Sequence, residues 1–225
     1  RDSQVSFAGG INTVSDEIAL QPDQIRLAQN ARLNEYGAVE KRGGTVKVST
    51  NAPSASAVQN GFGWARDNGT SYSLAIANGT FYYLQFAAGA SLPAASWSTQ
   101  AGTFSSSTVP SFASFISGTS TDVVYIADGG LLNKWDGTTL TTNIANTQDC
   151  TVIKVHNQRL WGAGSTTYPD SIFYSALNNG DSLGYGASSG GQIIVRTFGD
   201  EVVIGLASIN SSLLIFHRRG IQAVA

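Results

Sequence analysis

Residues 152–184 contain the side-chain types from which active sites are built. The segment VIKVHNQRLWGAGSTTYPDSIFYSALNNGDSLG holds His156, Arg159, Trp161, Asp170 and Asp181. A histidine beside a carboxylate would suit general acid–base catalysis. Here, however, these side chains alternate with short apolar runs and with Gly, Asn and Pro, a pattern typical of strands joined by turns. We therefore interpret them as residues that turn the chain and fill the space between sheets, and we expect no enzymatic activity.

The other acidic residues also favour turns over catalysis. Glycoside hydrolysis needs two carboxyl groups about 5 to 10 Å apart around the scissile bond. Most carboxylates after residue 60 neighbour Gly, Asn, Pro or Thr, where aspartate side chains cap backbone turns. They are Asp67, Asp122, Asp128, Asp136, Asp149, Asp170, Asp181, Asp200 and Glu201. A glycoside hydrolase is therefore the least favoured of the readings that stay open.

The sequence predicts neither a metal nor a cofactor. His156 and His217 lie far apart, and neither has Cys or Glu beside it at ligand spacing. Cys150 is the single cysteine, so the chain cannot form an internal disulfide, and it has no evident histidine partner. There is no Gly-x-Ser-x-Gly elbow and no glycine-rich phosphate loop between a strand and a helix.

Composition and charge exclude several classes of protein. Of the 225 residues, 42% are hydrophobic and 12% are charged, about half the globular average for charge, and the formal net charge is −2. Tight duplex-DNA binding needs clustered Lys and Arg, and the densest basic spot is HRRG at residues 217–220. No apolar run approaches the roughly 20 residues of a membrane span, so we expect no membrane anchor. The absence of methionine and a strand-like last segment lead us to expect a piece of a longer polypeptide.

The N-terminal residues 1–60 differ from the rest of the chain. QPDQIRLAQN, residues 21–30, predicts a short helix, because Pro22 and Asp23 suit a helix start. ARLNEYGAVEKR, residues 31–42, predicts a hairpin with its turn at 34–37. We expect this segment to consist of a strand, a short helix and a hairpin.

Residues 61–225 repeat a pattern of short strands. YSLAIANGTFYYLQ joins two apolar runs through Asn78-Gly79, and DVVYIADGGLLNKW repeats the arrangement with Asp128-Gly129. Both dipeptides predict two-residue hairpins, whose central positions need positive φ. Two further units follow, and self-similarity at roughly 40 to 50 residues is typical of a β-propeller. The sequence thus predicts an all-β fold, a β-propeller that is incomplete or truncated, with a β-sandwich as the alternative.

The segment KWDGTT predicts a turn and a packing residue. Asp136-Gly137 suits a tight turn, and we expect Trp135 to pack against the next blade. The other aromatic residues, among them Trp161, could stack on sugar rings. Since alternate strand residues face the neighbouring blade, core packing is the favoured interpretation.

Several patches resemble the tail nozzle and packaged-DNA-stabilisation β-propeller proteins of short-tailed bacteriophages. VSFAGGINTVSDEIALQPDQIRLAQNARLNEYGAVEKRGGT is similar to the opening of many tailed-phage proteins, VHNQRLWGAG with PDSIFYSALNNGDSL to one blade, and SSLLIFHRRGIQAV to the following blade. The matching positions, interpreted as turn and blade-packing features, are Asn30, Arg32, Gly37, Arg42, Gly43, Arg159, Leu160, Trp161, Ser175 and Asp181. Family members are usually much longer, and this chain supplies about four blade-like units.

The resemblance implies a structural protein of the virion tail, made in the host cytoplasm. Copies of the chain would form a ring below the portal and adaptor, contact other tail proteins, and continue the channel through which DNA leaves the capsid. Contact with double-stranded DNA would be transient and non-specific, and the family offers no catalytic residues to carry over. A glycan-binding propeller, lectin-like or receptor-binding, stays open as the alternative.

Overall fold

The structure is a computed structural model of the chain. It describes residues 10–11, 19, 24–25, 31–33, 39–41, 49–86, 96–116, 121–184, 190–195 and 202–224. The chain divides into two compact units, Arg1–Val46 and Lys47–Ala225.

The described residues of the first unit include four short strands. β1 (Gly10–Ile11) pairs in parallel with β2 (Gln24–Ile25), and β3 (Ala31–Leu33) pairs antiparallel with β4 (Val39–Lys41). The helix predicted over residues 21–30 is not supported, because Gln24 and Ile25 are extended and paired with another strand. A helix of this length is marginal by itself, so pairing with a neighbouring segment overrides the local signal. The turn predicted at 34–37 lies outside the described residues.

The part of the second unit that the structure describes forms four antiparallel sheets. Sheet 1 comprises β5 (Val58–Ala65), β6 (Ser71–Ala77), β7 (Thr80–Phe86) and β8 (Ser98–Gln100). Sheet 2 comprises β9 (Ser111–Ile116), β10 (Asp122–Ala127), β11 (Asn133–Trp135) and β12 (Leu140–Thr141). Sheet 3 comprises β13 (Val152–His156), β14 (Arg159–Ala163), β15 (Ser171–Tyr174) and β16 (Gly191–Ile194). Sheet 4 comprises β17 (Gly205–Ile209), β18 (Ser212–Phe216) and β19 (Ile221–Val224).

Each sheet is a meander in which consecutive strands are neighbours. The first strand of each sheet contacts the first strand of the next, so β5, β9, β13 and β17 form a row. The prediction of an all-β fold is confirmed, since the described residues contain no α-helix; a 3₁₀ turn spans Gly180–Ser182. The described sheets do not close into a ring, so a complete propeller is not among the observed features.

The core lies in three layers between successive sheets, because the central strands are apolar on both faces. In β10, Val124 and Ile126 pack toward sheet 1, whereas Val123 and Tyr125 pack toward sheet 3. This alternation follows from the two-residue period of a strand. The third layer joins sheets 3 and 4 and includes Trp161, Ala163, Ile172, Leu213 and Ile215. We call these layers the 1/2, 2/3 and 3/4 interfaces.

Candidate functional site

The row of first strands forms a surface that is poor in charge. One side chain in these four strands carries a full charge, that of Lys154. Polar contacts join neighbouring strands of the row: the Ser111 hydroxyl accepts a hydrogen bond from the Ile153 N–H at 3.2 Å, and Asn60 Nδ2 donates to the Pro110 carbonyl at 2.7 Å. The sheets are therefore held in a fixed order along the row.

Two cavities lie at opposite ends of the first strands, among the residues that the structure describes. The larger, about 600 Å³, lies where β5, β9 and β13 end, and its polar lining includes Asp67, Asp122, Gln158 and Asn178. The smaller, about 450 Å³, lies where the same strands begin. The Asp122 carboxylate accepts a hydrogen bond from the Asp67 N–H at 2.9 Å, so one of the two acidic side chains is used in part to hold a turn.

Trp135 is the centre of the 1/2 interface. Its side chain is fully buried, and its ring lies 5.4 Å from that of Phe81 and 4.9 Å from that of Tyr83. The prediction that Trp135 packs against the next blade is wrong: both partners belong to sheet 1, the preceding sheet. The reason is the strand period, since Trp135 pairs with Val124 in register and shares its sheet-1-facing side.

Asp136 and Gly137 form a turn that also docks on sheet 1. Asp136 Oδ1 accepts hydrogen bonds from the backbone N–H groups of Thr138 and Thr139, at 2.8 and 2.7 Å. Burial raises the pKa of Asp136, but these bonds, the Thr138 hydroxyl and the charge of Arg66 outweigh it, so the pKa lies below its usual value. Gly137 has a φ of 99°, and a Cβ there would meet the Arg66 guanidinium.

The two predicted Asx-Gly hairpins differ. Asn78 and Gly79 have φ of 48° and 72° between the paired residues Ala77 and Thr80, which is a two-residue turn of the type that such dipeptides favour. The prediction of a two-residue turn at Asp128-Gly129 is wrong, because β10 and β11 are joined by a longer loop, residues 128–132.

The Asp128 loop is shaped by contacts from outside its own hairpin. The Asp128 carboxylate accepts a hydrogen bond from the Ser105 N–H at 2.8 Å, and the Gly129 N–H donates to the Cys150 carbonyl at 2.9 Å. Asp128 and Gly129 are thus turn residues that link sheet 2 to segments on both sides.

The 2/3 interface has a polar contact at its edge. The Tyr125 hydroxyl donates to Asp181 Oδ1 at 2.7 Å, and Lys134 Nζ lies 2.6 Å from Asp181 Oδ2. Burial, and then the hydrogen bond and negative charge of Asp181, raise the pKa of Tyr125. A Cβ at Gly180 would overlap the Tyr125 ring, so glycine lets the 3₁₀ turn approach it. Sequence reasoning interpreted Asp181 as a turn residue and missed both partners, which no local signal identifies.

His156 links sheets 3 and 4. Its Nε2 lies 3.2 Å from the Ser211 carbonyl, which can only accept, so Nε2 carries the proton. In the neutral ring Nδ1 then accepts from the Ser208 hydroxyl at 2.7 Å. Trp161 Nε1, on β14, donates a hydrogen bond to the His156 carbonyl, on β13, at 3.2 Å. The Trp161 side chain belongs to the 3/4 interface, which the His156 ring also joins. His156 is buried and structural in its contacts.

Arg159 and Ser175 hold the end of sheet 3. Arg159 Nη1 donates to the Ser175 carbonyl at 2.6 Å, and the guanidinium lies over the Tyr174 ring at 5.4 Å. The Ser175 hydroxyl accepts from the Leu160 N–H at 3.0 Å. These contacts join the start of β14 to the end of β15 and to the residue that follows it.

The side-chain contacts of five predicted positions lie outside what the structure describes. Asn30, Gly37, Arg42 and Gly43 lie outside the described residues. For Arg32 the backbone pairs with Glu40, and its side chain is not described. Their predicted role stays a prediction.

The described residues show no arrangement suited to metal chemistry. Among them no group of three or more His, Cys, Asp or Glu side chains could hold an ion. Cys150 is fully buried, and burial, with the charges of Asp149 and Asp128, raises the pKa of its thiol. Within the described ranges, the chain has no helix that is long and apolar enough to cross a membrane.

Comparison with known proteins shows a likeness in structure but none in sequence. No family model matches the chain, and no curated protein matches it. Among solved structures, the crystal structure of the computationally designed Ika4 protein matches with a TM-score of 0.50 and 11% identity, over 79% of this chain and 96% of that one. At this identity the likeness concerns the fold alone.

Proposed function

We propose that the protein is a structural subunit of a tailed-phage virion, a tail nozzle or connector with a propeller-like arrangement of its sheets. Its copies would form a ring that continues the DNA exit channel and helps to retain packaged DNA. The observation that carries the proposal is the row of first strands, β5, β9, β13 and β17, which presents an ordered surface with one lysine.

A surface of this kind suits a conduit. Affinity for duplex DNA comes mainly from Lys and Arg that replace phosphate counterions, so a channel lined with them would hold the DNA that it must release. A lining with one charged side chain and many small or polar ones allows contact with the DNA without tight binding to its phosphates. The buried roles of His156, Trp135 and Trp161 support a passive scaffold rather than a reactive cleft.

The particle itself gives the direct test. Virions of a phage that encodes the sequence are purified on a density gradient, and their proteins are identified by mass spectrometry, with capsid and portal peptides as the internal control. We expect peptides of this chain in the intact particles at several copies each, and a ring in electron micrographs of the tail. Peptides that remain in the lysate and are absent from particles would overturn the proposal.

DNA affinity gives an independent test with purified protein. We expect filter binding at physiological salt to give a dissociation constant for duplex DNA within or above the range of non-specific binding, roughly 10⁻⁴ to 10⁻⁶ M. The variant to compare is Lys154→Gln, which removes the charge on the row and should further weaken the affinity for DNA. Sequence-specific binding at nanomolar concentrations would contradict a conduit role.

A glycan-binding protein is the second candidate, and the larger cavity is the observation that favours it. Carboxylates and carboxamides around a cavity of about 600 Å³ could hydrogen-bond sugar hydroxyls. Against this, Trp64 in the lining is buried and offers no open ring for stacking. Saturable glycan binding by calorimetry that is lost in Gln158→Ala, while the fold stays intact, would favour this candidate over the first.

A further inference from the structure

The larger cavity is lined by polar side chains whose role the fold does not explain. At other turns, acidic side chains hold the backbone: Asp136 accepts hydrogen bonds from two N–H groups, and Asp149 accepts one at 2.9 Å. Within the described ranges, by contrast, four polar side chains that line the cavity have no hydrogen-bond partner in the protein. They are those of Asp67, Ser114, Gln158 and Asn178. Their hydrogen-bonding capacity is open to a ligand or to water.

Backbone contacts hold these side chains around the cavity. The Asp122 carboxylate accepts a hydrogen bond from the Asp67 N–H at 2.9 Å, and the Gln158 carbonyl accepts one from the Asn178 N–H at 2.8 Å. Gln158 has a φ of 59° in the turn between β13 and β14, a conformation for which glycine is the least strained residue. Strained backbone of this kind clusters at ligand sites. The turn thus positions an amide side chain that the turn itself does not need.

The lining favours a ligand with a positive charge and a hydrocarbon part. Asp67 and Asp122 are carboxylates, and none of the lining residues that the structure describes is Lys or Arg. Ile116, which is 54% exposed, and Val155 give the same cavity an apolar side. An anionic ligand would place its charge beside two carboxylates, which is unfavourable.

We propose that the larger cavity binds an aliphatic amine in its ammonium form. An ammonium group has three donors and no acceptor, so it complements the two carboxylates and the amide oxygens of Gln158 and Asn178. The carbon chain of the ligand covers Ile116 and removes apolar surface from water. This site belongs to a single chain, so it goes beyond the proposed role in a virion tail, and its ligand differs from a neutral sugar.

Exposure of the carboxylates limits the expected affinity. Asp67 is exposed and Asp122 is half-buried, so water and salt screen their attraction for a cation. We therefore expect a dissociation constant of about 0.1 to 10 mM for a short diamine, since a few screened contacts hold it. The affinity should fall as the salt concentration rises, because the main contact is between charges.

Calorimetry of the whole chain with two small probes tests the proposal. The diamine putrescine is compared at neutral pH and low salt with the uncharged diol of the same carbon chain. We expect saturable binding of the diamine and much weaker binding of the diol. Ile116→Lys places an ammonium group of the protein at the cavity and should abolish diamine binding. The matched control is Val109→Lys, because Val109 is 66% exposed and lines the smaller cavity at the opposite end of the first strands.

A second variant tests the carboxylate itself. Asp67→Asn keeps the size of the side chain and removes its charge, so the affinity for putrescine should fall by about 2- to 5-fold, as for an exposed ion pair. Circular dichroism checks that each variant keeps the fold of the wild type.

Each result supports or overturns the amine site. Wild-type protein that shows no saturable binding of putrescine would overturn it, and so would equal loss of binding in Ile116→Lys and Val109→Lys, which indicates attraction to net charge alone. Equal affinity for the diol and the diamine would also overturn it and would favour the glycan-binding candidate. Because association with virions is measured separately, failure of this site and failure of the proposed function can be told apart.

Discussion

The Tyr125 hydroxyl and the Asp181 carboxylate meet at 2.7 Å across the interface between sheets 2 and 3. They lie on β10 and on the 3₁₀ turn after β15, so this contact joins two sheets that the chain builds separately. Lys134 completes the cluster through the second carboxylate oxygen. The interface is thus fixed by a polar cluster at its edge as well as by apolar packing inside.

Asp181→Asn should destabilise the protein by about 1 to 2 kcal/mol. The amide keeps a hydrogen-bond acceptor for Tyr125 but loses the ion pair, and since Lys134 and Asp181 are 24% and 41% exposed, solvent screening limits the loss. Urea unfolding at neutral pH measures the change. Lys134→Met is the matched variant: the two changes together should cost less than their sum, and strict additivity would argue against the contact.

Tyr125→Phe should change how stability depends on alkaline pH. The folded pKa of Tyr125 is raised, so its contribution is fully present below the unfolded value near 10 and is lost as pH rises above it. In the wild type the unfolded chain releases this proton first, which favours unfolding. The difference in unfolding free energy between wild type and Tyr125→Phe should therefore shrink above pH 10 and stay constant below pH 9; a constant difference throughout would refute the assignment.

Gly79→Ala should destabilise by about 1 to 3 kcal/mol. The residue has a φ of 72°, and a Cβ there would lie 2.6 Å from the Phe104 carbonyl oxygen, a backbone atom with little freedom to move. Gly63→Ala is the control, because nothing lies within 4 Å of its Cβ and a strand interior favours alanine over glycine. Thermal unfolding of both variants should show a loss for the first and none for the second.

Local signals in the sequence predict local structure well, and long-range contacts explain what they miss. The Asn78-Gly79 turn needs only the positive φ that these residues tolerate, so the dipeptide predicts it. Asp128-Gly129 has the same local signal, but hydrogen bonds from Ser105 and to Cys150 draw the loop into a longer form. The strand at Gln24–Ile25 replaces a predicted helix for the same kind of reason, because its partner β1 lies earlier in the chain.

The contacts of the candidate site are missed for a related reason. His156 with Ser208 and Asp181 with Tyr125 join residues that are distant in sequence, and no spacing rule connects them. The sequence does predict an all-β fold and which residues form turns and which pack between sheets. The partners of each residue depend on which sheets become neighbours, and that is decided by the whole chain.

Trp161→Ala should destabilise by about 3 to 5 kcal/mol. The side chain is 9% exposed, lies 5.4 Å from the Tyr174 ring and donates to the His156 carbonyl, so truncation opens a cavity and removes one hydrogen bond to that carbonyl. Chemical denaturation measures the loss. Tyr168→Ala is a suitable control, because Tyr168 is 38% exposed and should cost much less. A Trp161→Ala protein that unfolds like the wild type but has lost affinity for a glycan would instead favour the glycan-binding candidate.

Asp136→Asn should make the unfolding free energy fall less steeply as the pH is lowered. Burial raises the pKa of Asp136, but the hydrogen bonds from Thr138 and Thr139 lower it below the unfolded value, so the net folded pKa is depressed. A depressed carboxyl pKa contributes stability above the unfolded value of about 4, and this contribution is lost as pH falls through the folded pKa. Unfolding free energies from pH 6 down to pH 2.5 should converge for wild type and variant as the acid limit is approached, with a difference of about 1 kcal/mol at pH 6 from the lost charged acceptor. Asp149→Asn should behave in the same way, because Ser165 and Thr166 donate hydrogen bonds to its carboxylate. If the difference in unfolding free energy between wild type and Asp136→Asn instead widens toward low pH, the turn does not depend on the ionised Asp136.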